Sequence, residues 1–193
     1  MSSELAFQHE CVICDACSVI NLYATDRMGD ILRAAPTRFA VCSHVKDKEA
    51  LGVFNGQVID GKRQRNPINL EPLITAGILD VAAHDWNIHA NQIIVLSRAG
   101  ISGMGEKISS AIALEKGWGI VTDDRHAHKK LTVLMPQTQI LTTIDLVRHW
   151  ANVENIGVDV LREVLEKIRI RGNAEPAQDH PHYAWIMSIV STP

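Results

Sequence analysis

The chain has 193 residues, 46% of them hydrophobic and 21% charged, and a formal net charge of −3. These values suit one folded domain with a sizeable core, and they lack the strongly basic balance that is typical of nucleic-acid binders. No apolar run is long enough to span a bilayer, and the polar N-terminus predicts neither a signal peptide nor a transit peptide. We therefore expect a cytoplasmic protein without a membrane partner.

Short apolar runs alternate with helical patterns along the chain. Strands are predicted over 11–15, 38–42, 77–83 and 119–124, with a short one around 137–142. Helices are predicted over 18–24, 28–35, 43–54, 86–99, 106–117, 143–153 and 158–170, with a further helix after 124. This alternation predicts an α/β domain with a mainly parallel sheet.

Three stretches lack such a pattern. Residues 55–70 are rich in Asn, Gly, Lys and Arg and are predicted to form a loop or a small hairpin, and residues 100–105 form a flexible link. The tail from Asn173 contains three prolines and is predicted to be irregular. We divide the chain into a main domain, 1–155, and a C-terminal helix with an irregular tail, 156–193, that packs on the same domain.

The candidate site residues are acids. Because parallel sheets place their sites at the carboxyl ends of strands, polar residues just after apolar strands are candidate site residues. Asp15 follows the first strand, and Asp123 with Asp124 follows the fourth. Glu106 opens the helix before that fourth strand, and Glu49 lies in the helix after the second strand.

Each acid also has a structural explanation. Asp15 and Asp123 suit helix N-caps, which stabilise a helix by about 1 kcal/mol, and Glu106 suits a capping arrangement that opens at Gly103. Glu49 suits a solvated surface. Together, however, carboxylates at one sheet edge repel one another and raise their pKa values, and a divalent cation removes that penalty. Hard oxygen ligands suit Mg²⁺ or Mn²⁺, which supports metal-assisted phosphodiester hydrolysis.

Two blocks, VICDACSVINL and GEKISSAIALEKGWGIVTDDRHAHKKL, resemble the PIN-domain family and its VapC-like group. The common pattern is an apolar strand ending in Asp, Gly-Glu opening an Ala-rich helix, and a strand ending in an Asp pair. It extends over roughly 11–150 in order and spacing. The resemblance implies a three-layer α/β/α fold with a central, mainly parallel sheet over the main domain.

The resemblance also implies an activity. PIN domains are Mg²⁺- or Mn²⁺-dependent ribonucleases, and many are the toxin half of a toxin–antitoxin pair. Asp15, Glu106, Asp123 and Asp124 would then be catalytic and metal-binding acids, and which of the last two is the main ligand stays open. The implied partners are an RNA substrate, an antitoxin protein and a second copy of the chain in a homodimer.

Some positions fit the family pattern less closely. Glu49 is the candidate for the family's acid in the early helix, and Asp47 competes with it because no sharp motif surrounds either. Cys17 stands where the family often has Ser, Thr or Asn, so a hydroxyl or amide contact is not expected there. The stretch 52–70 is longer than in compact toxins.

The segment CVICDAC raises the alternative of a metal–sulfur site. Side chains alternate faces along a strand, so Cys11 and Cys14 point in opposite directions and cannot easily chelate one ion. Cys42 is the only cysteine outside this segment, and a structural zinc site needs four ligands. We interpret the cysteines as small core hydrophobes, with Cys17 partly exposed.

Two basic stretches, GKRQR (61–65) and RHAHKK (125–130), could contact phosphates or be solvated surface. In the second, we assign Arg125, Lys129 and Lys130 to RNA binding beside the acids. His126 and His128 do not share a helix face, so a zinc pair is not expected.

Other functions are weighed against the nuclease. A non-catalytic PIN-like module that binds RNA or protein would keep the fold without the reaction. A haloacid-dehalogenase-like phosphatase needs Asp two residues after Asp15, where Cys17 stands instead. A P-loop nucleotidase needs G-x-x-x-x-G-K-[ST], which the chain lacks.

Overall fold

A computed structural model describes residues 5–175 and 177–191. The strands are β1 (Cys11–Cys14), β2 (Arg38–Cys42), β3 (Gly52–Ile59), β4 (Lys62–Pro67), β5 (Asp80–Ala82), β6 (Gly119–Val121) and β7 (Ile140–Leu141). The helices are α1 (Ala16–Ala24), α2 (Met28–Ala34), α3 (Glu71–Thr75), α4 (Trp86–Arg98), α5 (Met104–Lys116), α6 (Arg125–Leu134), α7 (Thr143–Val153), α8 (Val158–Lys167) and α9 (Tyr183–Val190). Two π-helical segments lie at Val45–Glu49 and Ile168–Gly172.

Within the described residues, a five-stranded parallel sheet has the order β5-β2-β1-β6-β7. The strands β3 and β4 pair separately as an antiparallel hairpin. Helices flank the parallel sheet, and every residue of its central strand β1 is fully buried. Parallel strands covered on both faces are continuously apolar, as the sequence of β1 is.

The pairing of β1 with β6 positions the acids. Cys14 lies opposite Val121, and the Asp15 amide donates to the Val121 carbonyl at 3.1 Å. The residues after these two strands therefore leave the sheet side by side. The helix α5 ends at Gly117, whose φ of 64° is left-handed, and the chain then turns into β6. Because α5 runs back along the sheet, its first turn, with Glu106, lies at the same edge.

One apolar cluster joins the sheet to the C-terminal helices. Ile13 of β1, Leu161 and Val164 of α8 and Ile186 of α9 all belong to it. Full burial of such a side chain stabilises the fold by about 1.5–3 kcal/mol. Among the described residues no helix combines the length and the apolar character needed to cross a membrane.

This architecture confirms the predicted three-layer α/β/α fold with a central parallel sheet. The hairpin predicted within 55–70 is present, but it begins earlier, at Gly52. The predicted helix over 43–54 is wrong beyond residue 49, because the chain enters β3. Gly52 lies so close to β4 that an added Cβ would stand 3.0 Å from the Asn66 carbonyl oxygen, a packing that a helical pattern does not reveal.

The prediction of an irregular tail from Asn173 is wrong for Tyr183–Val190, which forms α9. Ile186 and Ile189 are buried there, three residues apart on one helix face. The prolines and histidines that precede this segment obscured its short apolar pattern. The predicted strand over 77–83 is also shorter, since only Asp80–Ala82 pairs with β2.

Close packing of α5 on the first π-helical segment yields a stability prediction. A Cβ on Gly105 would lie 2.6 Å from Val45 Cγ2 and 2.8 Å from Glu49 Cδ. The Gly105 amide also donates to Glu49 Oε1 at 2.9 Å. Gly105→Ala is therefore expected to lower the free energy of unfolding by about 1–3 kcal/mol, as overpacking does, in a urea denaturation experiment.

Gly157, which precedes α8, is the matched control because no described residue other than its chain neighbours has an atom within 4 Å of an added Cβ there. Gly157→Ala should cost only about 0.5 kcal/mol, through weaker capping. Equal effects at the two positions would contradict close packing at Gly105.

Candidate active site

A cavity of about 450 Å³ lies at the carboxyl edge of the parallel sheet. All four predicted catalytic acids line it: Asp15, Glu106, Asp123 and Asp124. The rest of the lining comes from α1 and from the segment Gly172–Glu175. The fold thus brings together residues that are more than a hundred positions apart in the chain.

Asp15 is buried at the start of α1, with 2% of its surface exposed. Its Oδ1 accepts a hydrogen bond from the Ser18 amide at 2.8 Å, so it is the N-cap that its position allows. The Cys17 thiol lies 3.1 Å from both carboxylate oxygens. Burial raises the pKa of Asp15, hydrogen bonds from Thr122 and Ser18 oppose this, and the charge of Asp123 adds to it.

Glu106 is the third residue of α5, which opens at Gly103. Burial, followed by the negative charges of Asp124, Asp15 and Glu49, raises the pKa of Glu106 to about 7. Glu106 therefore carries a substantial proton population near neutral pH. The repulsion expected from crowded acids is thus present at this position.

Asp123 and Asp124 have different surroundings. The amide and hydroxyl of Thr143 both donate to the Asp123 carboxylate, and Asn21 Nδ2 donates to it at 2.6 Å. Asp124 Oδ1 caps α6 by accepting from the amides of His126 and Ala127 at 2.8 and 2.9 Å. Its Oδ2 has no hydrogen-bond partner among the described residues. Asp124, rather than Asp123, is thus the N-cap of this pair.

Glu49 does not line the cavity. Its Oε1 accepts from the Gly105 amide and lies 3.3 Å from His44 Nε2, so Glu49 braces the first turn of α5. Asp47 is more exposed and lies 3.1 Å from Lys46. Glu49 thus contacts the helix that carries Glu106.

The predicted RNA-binding residues lie on α6, and each contacts a protein oxygen atom. Arg125 makes two hydrogen bonds to Asp179, at 2.8 and 2.7 Å, and Lys129 lies 4.0 Å from the same carboxylate. Lys130 donates to the Gly100 carbonyl at 2.7 Å. Arg125 and Lys129 border a second cavity of about 480 Å³, which also touches Asp123.

Several contributors to the site were missed in the sequence. Asn21 is 4% exposed and Thr143 is 1% exposed, and together they position Asp123. The sequence signal for Asn21 is an amide in a mostly apolar helix. Gly172 approaches Asn21 so closely that an added Cβ would overlap Asn21 Oδ1. No local pattern indicates that the chain returns to the cavity at this glycine.

The side chains that line the cavity can be compared with the ligands that a divalent cation requires. In residues 5–175 and 177–191, no group of three or more His, Cys, Asp or Glu side chains is placed so that it could hold a metal ion as it stands. The donor types nevertheless fit, because carboxylate oxygens of Asp15, Glu106 and Asp124 border one cavity and the pKa values of the first two are raised. A cation would relieve that repulsion.

The raised pKa of Glu106 predicts how stability depends on pH. The folded state binds a proton more tightly than the unfolded state, whose pKa is about 4.5, so this group favours folding below that pH and loses its effect as pH rises through about 7. The wild-type protein should lose stability between pH 5 and pH 8 relative to Glu106→Gln, measured by urea denaturation without metal.

Glu166→Gln is the control, since Arg169 lowers the pKa of that exposed glutamate and moves its titration out of this window. This variant should keep the wild-type pH dependence. A Glu106→Gln variant with an unchanged pH dependence would show that Glu106 ionises normally in the folded protein.

Comparisons of the chain with protein-family models, with curated proteins and with solved structures found no match. We therefore infer function from the residues of the cavity.

Proposed function

We propose that this protein is a Mg²⁺- or Mn²⁺-dependent ribonuclease that hydrolyses phosphodiester bonds in RNA. The observation that supports this most is that acids from two distant sequence blocks, Asp15 in one and Glu106, Asp123 and Asp124 in the other, line a single cavity. Hard oxygen donors beside open space suit a cation that keeps waters and binds substrate phosphate.

The acids would have different roles. Asp15, Glu106 and Asp124 would hold the cation, because the charges of Asp15 and Asp124 act on Glu106. Asp123 would be a positioning residue, since Asn21 and Thr143 already engage its oxygens. The cation would polarise the phosphoryl group and lower the pKa of a water molecule.

Basic residues of α6 would contact the RNA backbone. The side chain of Lys129 is 73% exposed and that of Arg125 is 61% exposed, at the border of the adjoining cavity. On RNA binding, both side chains would leave Asp179 and contact a phosphate instead. Arg can bind a phosphate through two parallel hydrogen bonds.

Asp15→Asn tests the reaction. Asn is as good an N-cap as Asp, so α1 should persist while one anionic ligand is lost. Cleavage of a mixed-sequence single-stranded RNA in Mn²⁺ or Mg²⁺ should fall by at least about 100-fold, the factor produced by roughly 3 kcal/mol of lost transition-state stabilisation. EDTA should abolish the wild-type cleavage.

Asp159→Asn is the matched control, because Asp159 also lies in the first turn of a helix and its side chain is 88% exposed. It should cleave like the wild type. Metal-dependent cleavage that survives in Asp15→Asn would overturn the assignment of this acid, and equal cleavage in EDTA would point to a contaminating nuclease.

The second candidate is a non-catalytic module that binds RNA or protein. It is favoured by the structural roles of the acids, since Asp15 and Asp124 cap helices and Asp123 joins β6 to α7. Such roles would preserve the acids without any reaction.

Calorimetric titration with Mn²⁺ separates the two candidates. A nuclease site should bind Mn²⁺, and the affinity should rise between pH 5.5 and pH 7.5 because the cation displaces the proton that Glu106 holds up to about pH 7. Glu106→Gln should weaken binding and remove this pH dependence. A folded wild-type protein that binds no Mn²⁺ would support the module.

We further propose that the protein acts as the toxin of a toxin–antitoxin pair and forms a homodimer, as the resemblance to VapC-like proteins implies. An antitoxin gene in the neighbouring reading frame, and sedimentation of the purified chain as a dimer, are the corresponding tests.

A further inference from the structure

The hairpin formed by β3 and β4 carries a concentration of positive charge. Lys62, Arg63 and Arg65 all lie on β4, and Asp60 in the turn is the only acid between Gly52 and Pro67. Asp60 and Gly61 have φ values of 50° and 73°, which a tight two-residue hairpin turn requires. The three cations are thus displayed on a short two-stranded ribbon.

In the part of the chain that the structure describes, these cations have no acidic partner. Among the described residues, no carboxylate lies within 4 Å of the charged groups of Lys62, Arg63 or Arg65. By contrast, Arg38 and Arg169 each lie within 4 Å of a carboxylate. The hairpin therefore presents charge that no described carboxylate neutralises.

An aromatic ring orders the arginines. The Cζ atoms of Arg63 and Arg65 lie 3.7 and 4.5 Å from the centroid of the Phe54 ring. Such cation–π contacts restrict the side chains while leaving the charge available to an anion. Arg65 and Lys62 are exposed, so both can reach a ligand in solvent.

The hairpin is attached to the wall of the acidic cavity. Arg63 donates to Asn173 Oδ1 and, at 2.8 Å, to the Ile170 carbonyl. Asn173 lines the cavity that contains the acids. Arg63 thus holds the basic ribbon against the cavity, with Lys62 and Arg65 beside it on the same strand.

We propose that the β3–β4 hairpin is a binding arm for the phosphate backbone of single-stranded RNA, which it delivers to the acidic cavity; this inference rests on the proposed ribonuclease function. Unneutralised Lys and Arg are the groups that bind phosphates independently of sequence. A carboxylate-lined cavity repels a polyanion, so a neighbouring cationic surface is needed to retain the strand. Arg63 positions the arm, and Lys62 and Arg65 contact phosphates.

The test measures RNA binding separately from cleavage. A fluorescent mixed-sequence single-stranded RNA is titrated in EDTA, which prevents metal-dependent turnover, and anisotropy is recorded over a range of salt concentrations. The test variant is Lys62→Gln with Arg65→Gln, which leaves Arg63 in place. The control is Arg38→Gln with Lys116→Gln, which removes the same charge from the start of β2 and the end of α5, away from the acids.

The test variant should bind RNA about 25-fold more weakly at 0.1 M salt, and the slope of log K against log salt should fall by about 1.4, because each phosphate contact on a single strand contributes about 0.7. The control pair should match the wild type. Lys62→Arg with Arg65→Lys should restore binding, since it retains both charges. Unfolding curves of all the variants should overlay, which excludes misfolding as the cause.

Wild-type affinity and slope in the Lys62→Gln, Arg65→Gln variant would overturn the inference and point instead to an acidic protein as the ligand of the arm. Failure to bind RNA in the wild-type protein would also overturn it. Calorimetry with Mn²⁺ separates this outcome from failure of the proposed function. The variant should bind Mn²⁺ like the wild type. A wild-type protein that binds RNA through the arm but binds no Mn²⁺ would support the proposed arm and contradict the proposed nuclease activity.

Discussion

The parallel pairing of β1 with β6 is the constraint on which the rest of the site depends. The bond from the Asp15 amide to the Val121 carbonyl closes the ladder at the point where both strands leave the core. A slip of one residue would turn every side chain of a strand to the opposite face of the sheet. Such a slip would also move Asp15 away from Thr122 and the Asp pair. The apolar residues of the two strands, rather than the acids, therefore determine where the acids meet.

Structural and functional explanations of the acids are compatible. Asp15 and Asp124 cap α1 and α6, and Glu106 lies in the first turn of α5. Helix N-termini carry partial positive charge, so each offsets part of the repulsion among the carboxylates. Burial first, and the neighbouring negative charges after it, still raise the pKa values of Asp15 and Glu106. Three converging helix N-termini thus allow the fold to tolerate a cluster of acids that a divalent cation would neutralise further.

Much of the fold was predictable because apolar strands alternate with helices, and a parallel sheet brings the ends of such strands to one edge. The acids could be predicted for the same reason, since each follows a strand or opens a helix. The predictions of a helix over 43–54 and of an irregular tail failed because contacts distant in sequence determine both segments. The chain leaves the helical pattern at Gly52 because it pairs with β4, and α9 forms where it packs on α8. No sequence pattern indicates that Gly172–Glu175 forms a wall of the cavity, since the position of this segment depends on the fit of Gly172 against Asn21.

Because of this fit, residues from both halves of the chain form the cavity. Asn21 contacts Gly172 on one side and donates to Asp123 on the other, so the backbone at Gly172 and the orientation of a site carboxylate are mechanically linked. A piece of the protein that ended after α7 would contain Asp15, Glu106, Asp123 and Asp124 and yet lack one wall of their cavity. The smallest unit able to shape this site therefore extends past α8, well beyond the segment that contains those four acids.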